Sequence, residues 1–339
     1  MSQTLLLDIG KLLLGILILV YSGDMLVKGS VALANHFKIS SLVIGLTVVA
    51  FGTSAPELIV SLGAAVTNHP EIALGNVIGS NIANIALVLA ITVIILPMPV
   101  APQTIKRSWP FMFFAGIILY VSMYTNGAIG RLEGLIMFAF LIFFIINSLQ
   151  SAKKFKQSVS IPKPKNKHPL WVYLTMVIVA SAGLAFGSKF LVTGASSVAT
   201  EIGISERIIS ITIVAFGTSI PELTASVIAA FKKETDISVG NIIGSNIFNV
   251  FAVIGITAGV KPILLNFQEF RIDLNFMMIF FLLLFIFILP LKWLFGKQSS
   301  TSGTLIERYQ KIEGGSISRT EGFILFALYV AYIFLIFKS

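Results

Sequence analysis

A segment of eight residues that ends in a proline followed by a glutamate occurs twice in this chain of 339 residues. Residues 50–57 read AFGTSAPE and residues 215–222 read AFGTSIPE, so a single position differs. A second block repeats at the same offset, because residues 75–84 read GNVIGSNIAN and residues 240–249 read GNIIGSNIFN. The offset is 165 residues in both cases (222 minus 57, and 249 minus 84). The chain therefore consists of two related halves without an insertion between the blocks.

Both copies lie in long apolar stretches. Hydrophobic residues make up 56% of the chain and charged residues 12%, about half the charged fraction of an average soluble domain. We predict an all-α integral membrane protein, with the N-terminal apolar stretch as its first helix, since no small-residue cleavage site follows it. Apolar stretches near the roughly 20 residues of a bilayer crossing predict ten transmembrane helices. They lie at about residues 5–34, 41–67, 73–96, 109–125, 130–149, 170–199, 208–231, 237–260, 274–295 and 322–337.

The repeat predicts how the halves are related. We expect a first repeat over residues 1–150, a basic linker over residues 151–169, and a second repeat over residues 170–339. Because each half holds five spans, an odd number, its copy must enter the membrane from the opposite face. The halves are thus expected to be inverted five-helix repeats, which is a common plan of secondary transporters.

The net charge of +9 is explained by membrane orientation. Most Lys and Arg residues outside the spans, including those of the linker, fall on one side when the loops alternate. By the positive-inside rule this side is cytoplasmic, and both termini are extracytoplasmic. We expect contact with anionic lipid and no nucleic-acid partner. The chain contains no cysteine, which excludes disulfides and thiolate metal sites.

The repeated segment predicts broken helices with a cation site. Pro56 and Pro221 lack an N–H group, so the carbonyls of Gly52 and Gly217 lose their helical partners. A freed carbonyl inside a membrane must be satisfied by protein, water or a cation. Glutamates in such a setting are costly, so Glu57 and Glu222 indicate a functional site.

Helical spacing places further oxygen atoms beside the glutamates. Thr53 and Glu57 are four residues apart, as are Ser80 and Asn84, so each pair shares a helix face. Residues in both halves offer the same donors: Ala50, Thr53, Ser54, Glu57, Ser80, Asn84, Ala215, Thr218, Ser219, Glu222, Ser245 and Asn249. Carbonyls, hydroxyls, amides and carboxylates suit a hard cation, above all Ca²⁺.

A structural role is the alternative for each of these residues. Ser, Thr and Asn in membrane helices often only form hydrogen bonds between helices. For the glutamates, the structural alternative is an ion pair with Lys28 or Lys189. Lys28 also lies four residues after Asp24, which can neutralise it.

The four blocks resemble the two repeats of the cation/Ca²⁺ exchanger superfamily, and more closely its prokaryotic Na⁺/Ca²⁺ exchanger branch. The resemblance implies that Ca²⁺ is bound by the two glutamates with the backbone carbonyls of Thr53 and Thr218. It implies Na⁺ sites around the carbonyls of Ala50 and Ala215, the same glutamates, and the hydroxyls of Ser54, Ser219, Ser80 and Ser245. The first and sixth spans would slide across the rest, in a prokaryotic plasma membrane and without a cofactor.

One departure affects the ions exchanged. Archaeal members carry Asp at the position of Asn249, and K⁺-dependent relatives carry acids in the central positions, whereas this chain has Asn84 and Asn249. A Na⁺/Ca²⁺ antiporter is the main hypothesis. The alternatives are an H⁺/Ca²⁺ antiporter, a K⁺-dependent Na⁺/Ca²⁺ antiporter, a passive cation channel, and an intramembrane enzyme that uses the glutamates as acid and base.

Overall fold

The computed structural model describes residues 3–156, 168–201, 203, 215–289 and 314–338, which are helical almost throughout. The first half contains α1 (Gln3–Phe37), α2 (Ser41–Thr53), α3 (Ala55–Val66), α4 (Pro70–Ile95), α5 (Trp109–Asn126) and α6 (Arg131–Lys156). The second half contains α7 (Leu170–Glu201), α8 (Ala215–Gly217), α9 (Ile220–Phe231), α10 (Thr235–Val260), α11 (Phe267–Ile288) and α12 (Arg319–Lys338).

Most of the predicted spans are present as helices. Within the described ranges, eight helices are long and apolar enough to cross a membrane, and the bent pair α2 and α3 makes a ninth. The prediction of an all-α membrane protein is confirmed. The predicted seventh span, residues 208–231, is described only from Ala215 onward. The count of ten therefore stays a prediction.

The ninth span begins earlier than predicted. The apolar pattern gave residues 274–295, whereas α11 runs from Phe267 to Ile288. Asn266 is the N-cap, and its side chain accepts a hydrogen bond from the backbone N–H of Gln268 at 3.0 Å. Three charged residues lie in the first two turns, so the apolar pattern started only after them. A helix cap, which hydropathy does not register, fixes this boundary.

The helices differ in how deeply they are buried. In their most apolar windows, α4 is 72% buried and α10 is 89% buried, compared with 22% for α1 and 28% for α7. One large hydrophobic cluster joins α4 and α10 to α5, α6, α11 and α12. A separate cluster joins α1 and α7 to parts of α2 and α9. The molecule thus has a central bundle with a two-helix layer against it.

The two-helix layer is held together by close backbone contact. Gly15 lies against Gly187 and Leu191, and Gly194 lies against Leu12, so α1 and α7 are antiparallel. A Cβ atom on Gly15 would sit 2.6 Å from the Leu191 nitrogen, which leaves no room for a side chain. With 35 residues, α1 is about 50 Å long, which is more than enough to cross the roughly 30 Å hydrocarbon core of a bilayer.

Two short sheets connect the halves. Strand β1 (Met98–Val100) follows α4 and pairs antiparallel with β4 (Gly315–Ile317), which precedes α12. Strand β3 (Ile263–Leu264) follows α10 and pairs antiparallel with β2 (Ala128–Ile129), which precedes α6. Strands β1 and β3 occupy equivalent positions in the two halves, and so do β4 and β2, so each sheet is the counterpart of the other. A pseudo-two-fold axis between the halves would produce this arrangement.

Candidate cation site

The two glutamates begin the second segments of two broken helices. α2 and α3 are bent by 45° at Ser54, where Pro56 stands in the first turn of α3. Ser54 has φ −88° and ψ 5°, and Ser219 has φ −88° and ψ 1°. The predicted break is therefore present in both halves with the same backbone geometry. Glu57 and Glu222 lie in the first turns of α3 and α9, where the helix dipole stabilises a negative charge.

Both carboxylates are fully enclosed by protein. Glu57 is 1% exposed and Glu222 is 0% exposed, and the two side chains interact electrostatically. Neither glutamate forms an ion pair among the described residues. Lys28 pairs with Asp24 instead, at 2.7 Å. The alternative that Lys28 or Lys189 forms an ion pair with a glutamate is thus not what the described residues show. Two carboxyl groups are therefore buried without a cationic partner in the described part of the chain.

Polar side chains from both halves meet around these carboxylates. The Ser54 hydroxyl donates a hydrogen bond to Glu222 Oε1 at 3.1 Å. The hydroxyls of Thr53 and Ser245 are 3.4 Å apart, and the hydroxyls of Thr218 and Ser80 are also 3.4 Å apart. These two contacts exchange when the halves are exchanged. Predicted site residues that lie far apart in sequence are therefore assembled into one cluster.

The alanines lie one turn before the breaks. Ala50 begins the last turn of α2, and its carbonyl accepts from the backbone N–H of Ser54 at 2.9 Å and from the Thr53 hydroxyl at 3.3 Å. Ala215 is the first residue of α8, in the equivalent position. Both carbonyls therefore belong to the turn that is opened by the proline.

One freed carbonyl has a protein partner that the sequence did not indicate. The hydroxyl of Ser188, on α7, donates to the Gly217 carbonyl at 2.5 Å. Of the partners expected for a freed carbonyl, which were protein, water or a cation, this one has a protein side chain. The position equivalent to Ser188 in the first half is Gly23 (188 minus 165), which has no hydroxyl. This partner of the broken turn is therefore not duplicated.

The central amides stand at the start of π-helical turns. Asn84 begins the turn Asn84–Leu89, and Asn249 begins the turn Asn249–Ile254. Asn249 donates to the side-chain oxygen of Asn81 at 3.1 Å. Neither side-chain atom of Asn84 has a hydrogen-bond partner among the described residues. Such turns widen a helix locally and are frequent at functional sites.

The buried atoms that are available to a cation are oxygens. Both Glu57 oxygens, one Glu222 oxygen, the Ser219 hydroxyl and the oxygens of Asn84 and Asn249 are buried and lack hydrogen-bond partners within the described ranges. Buried polar atoms are nearly always satisfied, so a set of unpaired oxygens requires a partner. Across the described part of the chain, no cluster of three or more His, Cys, Asp or Glu occurs. The donor set fits a hard cation that takes neutral oxygens as well as carboxylates.

The sodium/calcium exchanger family model matches residues 8–150 and 172–338, which is most of the chain. The chain belongs to the sodium/calcium exchanger family. CaxA of Alkalimonas amylolytica is 34% identical to this family member over 335 residues, which cover 96% of this chain and 98% of CaxA. The sodium/calcium exchanger MaX1 of Methanosarcina acetivorans is 28% identical over 371 residues, which cover 96% of this chain and 97% of MaX1.

A solved exchanger structure has the same overall arrangement. The sodium-calcium exchanger NCX_Mj, soaked with 10 mM Na⁺ and 10 mM Sr²⁺, superposes on this chain with a TM-score of 0.76 at 29% sequence identity. The match covers 97% of this chain and 98% of that one. The described residues therefore have the fold of a membrane exchanger.

Two asparagines that hold the glutamate backbone in this exchanger were not anticipated from the sequence. The Asn76 amide donates to the Glu57 carbonyl at 3.3 Å and to the Ser61 hydroxyl at 3.0 Å. Asn241 repeats this with the Glu222 carbonyl at 3.4 Å and the Ser226 hydroxyl at 3.0 Å. Both asparagines lie in the repeated blocks, and this duplication was the signal that could have identified them. They fix the backbone that carries each glutamate.

Proposed function

We propose that this protein exchanges Na⁺ for Ca²⁺ across the membrane at a single site formed by both halves. The observation that carries the proposal is the buried pair Glu57 and Glu222, which interact electrostatically and have no ion-pair partner among the described residues. Two buried like charges are strongly destabilising unless a cation neutralises them. The family membership and the duplicated donor set support Na⁺ and Ca²⁺ as the transported ions.

The proposed ligands are those anticipated from the sequence. Ca²⁺ would bind the two glutamate carboxylates and the backbone carbonyls of Thr53 and Thr218. Na⁺ ions would use the same carboxylates, the carbonyls of Ala50 and Ala215, and hydroxyls near them. These hydroxyls belong to Ser54, Ser80, Ser219 and Ser245, and Asn84 and Asn249 lie at the centre. The contacts of Ser54 with Glu222 and of Thr53 with Ser245 support a site shared by the halves.

The charge of the site limits the stoichiometry. Two carboxylates balance one Ca²⁺, and three Na⁺ would leave a charge of +1 because Asn84 and Asn249 contribute none. Exchange of three Na⁺ for one Ca²⁺ would be electrogenic, because three positive charges cross in one direction and two in the other. A K⁺-dependent or H⁺-dependent exchanger remains the alternative, since both would use the same carboxylates.

We propose that α1 and α7 move against the central bundle to expose the site to each side in turn. Their separate hydrophobic cluster and high exposure support this division. Two inverted five-helix repeats, residues 1–150 and 170–339, would give two equivalent end states. The two short sheets support an inverted repeat, because each pairs the strand after the third span of one half with the strand before the last span of the other half. An ion changes the balance of states only through different affinities for them. Because the cation-free site carries two unneutralised charges, only the Na⁺-loaded or Ca²⁺-loaded protein would switch.

The proposed setting is a prokaryotic plasma membrane, with both termini extracytoplasmic and the basic linker, residues 151–169, on the cytoplasmic side. The prokaryotic relatives support the choice of membrane. The distribution of Lys and Arg supports the orientation. No cofactor is proposed, and Na⁺ and Ca²⁺ are the substrates.

Proteoliposomes test the function directly. Vesicles loaded with Na⁺ and diluted into Ca²⁺ should accumulate Ca²⁺, and an inside-positive potential should accelerate the uptake if three Na⁺ leave for each Ca²⁺. Collapsing a pH gradient or omitting K⁺ should leave the uptake unchanged. Uptake without internal Na⁺ would indicate a channel, and uptake driven by a pH gradient alone would indicate an H⁺/Ca²⁺ antiporter. Either result would contradict the proposal.

A further inference from the structure

One central amide of the cation site is connected to α11 through a sulfur atom. Asn249 donates to the side-chain oxygen of Asn81 at 3.1 Å, and the amide nitrogen of Asn81 donates to the sulfur of Met277 at 3.7 Å. All three residues are 0% exposed, so these contacts are shielded from bulk water. The three side chains form one chain of hydrogen bonds, which we call the amide relay.

The sulfur determines how both amides of the relay are oriented. A thioether can accept a hydrogen bond but cannot donate one, so the NH₂ group of Asn81 must face Met277. The oxygen of Asn81 then faces Asn249 and can only accept, so Asn249 turns its own NH₂ group toward Asn81. The oxygen of Asn249 is buried and has no hydrogen-bond partner among the described residues. The relay therefore leaves Asn249 with a free oxygen rather than a free NH₂ group.

The equivalent residues of the other half have different contacts. At the offset of 165 (277 minus 112) they are Met112, Asn246 and Asn84. The amide nitrogen of Asn246 donates to the Ile242 carbonyl at 2.8 Å, within its own helix, and its oxygen has no partner in the described chain. Neither side-chain atom of Asn84 has a partner there either. Met112 is also 0% exposed, so a buried methionine at this place does not by itself produce the relay.

We propose that Met277 is a positioning residue for the transported cation, which acts through Asn81 to keep the oxygen of Asn249 available as a ligand. This inference rests on the proposed function, in which Asn249 lies at the centre of the site. A hard cation binds oxygen and is repelled by the positive end of an NH₂ group, so a reversed amide would oppose binding. Residues that orient a ligand typically change metal affinity about 10- to 100-fold.

Filling space in the core is the alternative role for Met277, because methionine adapts to irregular gaps between helices. Met277→Leu separates the two roles, since leucine is apolar and of similar volume but cannot accept a hydrogen bond. In this variant the Asn81 amide has no partner that fixes its orientation, and Asn249 can present either end. A role in packing alone would leave the affinity for Ca²⁺ unchanged.

Thermal unfolding of the purified full-length protein, titrated with Ca²⁺, measures the apparent affinity. Met277→Leu should weaken the Ca²⁺ affinity about tenfold, the lower end of the usual range, because a thioether is a weak acceptor. Met112→Leu is the matched control and should leave the affinity nearly unchanged. In proteoliposomes, the KM for Ca²⁺ of Met277→Leu should rise by the same factor, while the maximal rate of Na⁺-driven uptake changes little.

A double variant tests whether Met277 acts through Asn81. Asn81→Ala should itself weaken the Ca²⁺ affinity, and adding Met277→Leu to it should cause no further loss. Additive losses in the double variant would overturn the proposal. So would equal losses in Met277→Leu and Met112→Leu, or an unchanged Ca²⁺ affinity in Met277→Leu.

The wild-type protein distinguishes a failure of this inference from a failure of the proposed function. Binding of Ca²⁺ without Na⁺-driven uptake would contradict the proposed function, and the binding titrations of the variants would still decide the role of Met277. Wild-type protein that is not stabilised by Ca²⁺ at all would overturn both.

Discussion

The two halves of the cation site have nearly the same sequence but different partners. The Glu222 carboxylate accepts a hydrogen bond from the Ser54 hydroxyl. The hydroxyl of Ser219, the equivalent of Ser54, and the carboxylate of Glu57 have no hydrogen-bond partner in the described chain. Asn249 donates to Asn81, whereas Asn84 donates to no side chain that the structure describes. The side chains of Glu222 and Asn249 are thus partly satisfied by protein, whereas those of Glu57 and Asn84 depend on another partner.

This difference shows that the environment of a duplicated residue is set by the arrangement of the helices. The backbone at Ser54 and Ser219 has the same conformation, and Asn76 and Asn241 hold the two glutamate segments in the same way. The contacts across the halves differ, and so does the partner of the broken turn, since Ser188 donates to Gly217 in the second half alone among the described residues. A protein that alternates between two related states would show such an asymmetry in each of them.

Neutralising a glutamate should have the largest effect. Glu57→Gln and Glu222→Gln should each lower Na⁺-driven Ca²⁺ uptake into proteoliposomes by more than about 100-fold, because even outer-shell partners change metal affinity 10- to 100-fold. Glu71→Gln is the matched control, since Glu71 also lies in the first turn of a helix but is exposed.

The same variants test the asymmetry. In cation-free buffer, Glu57→Gln should raise the thermal unfolding temperature more than Glu222→Gln, because Glu57 is the carboxylate without a hydrogen-bond donor among the described residues. Equal increases would mean that the two halves are equivalent in solution. Near-normal uptake in either variant would refute the assignment of the site.

An added acid at the central positions should have an intermediate effect. Asn249→Asp loses the hydrogen bond to Asn81 and places a carboxylate against an oxygen, whereas Asn84→Asp breaks no described hydrogen bond. In cation-free buffer, Asn249→Asp should therefore be less stable than Asn84→Asp by about 1–3 kcal/mol. Thermal unfolding with and without Ca²⁺ measures this. Equal destabilisation by the two variants would contradict the different roles of the amides.

The smallest expected effect concerns an ion pair that exists in one half. Asp24 of α1 pairs with Lys28 and also with Lys232, at the end of α9. The position equivalent to Asp24 is Lys189 (24 plus 165), so the pair is not duplicated. If α1 moves against the bundle, this contact must break. Lys232→Gln should change the exchange rate by a factor of about 2–5, as expected for a partly exposed ion pair.

Lys233→Gln is the control for this variant, because the neighbouring Lys233 has the same charge, is exposed, and forms no ion pair among the described residues. Combining Asp24→Lys with Lys232→Asp should restore the wild-type rate more closely than either single change does. Identical rates for Lys232→Gln and Lys233→Gln would show that the ion pair has no role in the movement.

Much of the site could be predicted because its signals are local. Pro56 and Pro221 predicted the two breaks. The single helix face expected for Thr53 and Glu57 was wrong, because the 45° bend at Ser54 separates the two residues into different helices. The N-terminal boundary of α11 was wrong, because the N-cap Asn266 lies before charged residues that interrupt the apolar pattern. The contacts of Ser188 with Gly217 and of Thr53 with Asn241, the latter at 3.0 Å, join residues from different helices. No local pattern registers such pairs.

The sequence by itself determined the membrane setting, the duplication and the chemical kind of the donors, because hydropathy, proline and residue type act within one helix. The tertiary structure alone decided which donors meet, that Glu222 has a hydroxyl partner while Glu57 has none, and that α1 and α7 form a separate layer. These features depend on how helices distant in sequence pack against one another. Two nearly identical segments can therefore have different partners once each is placed against different neighbours.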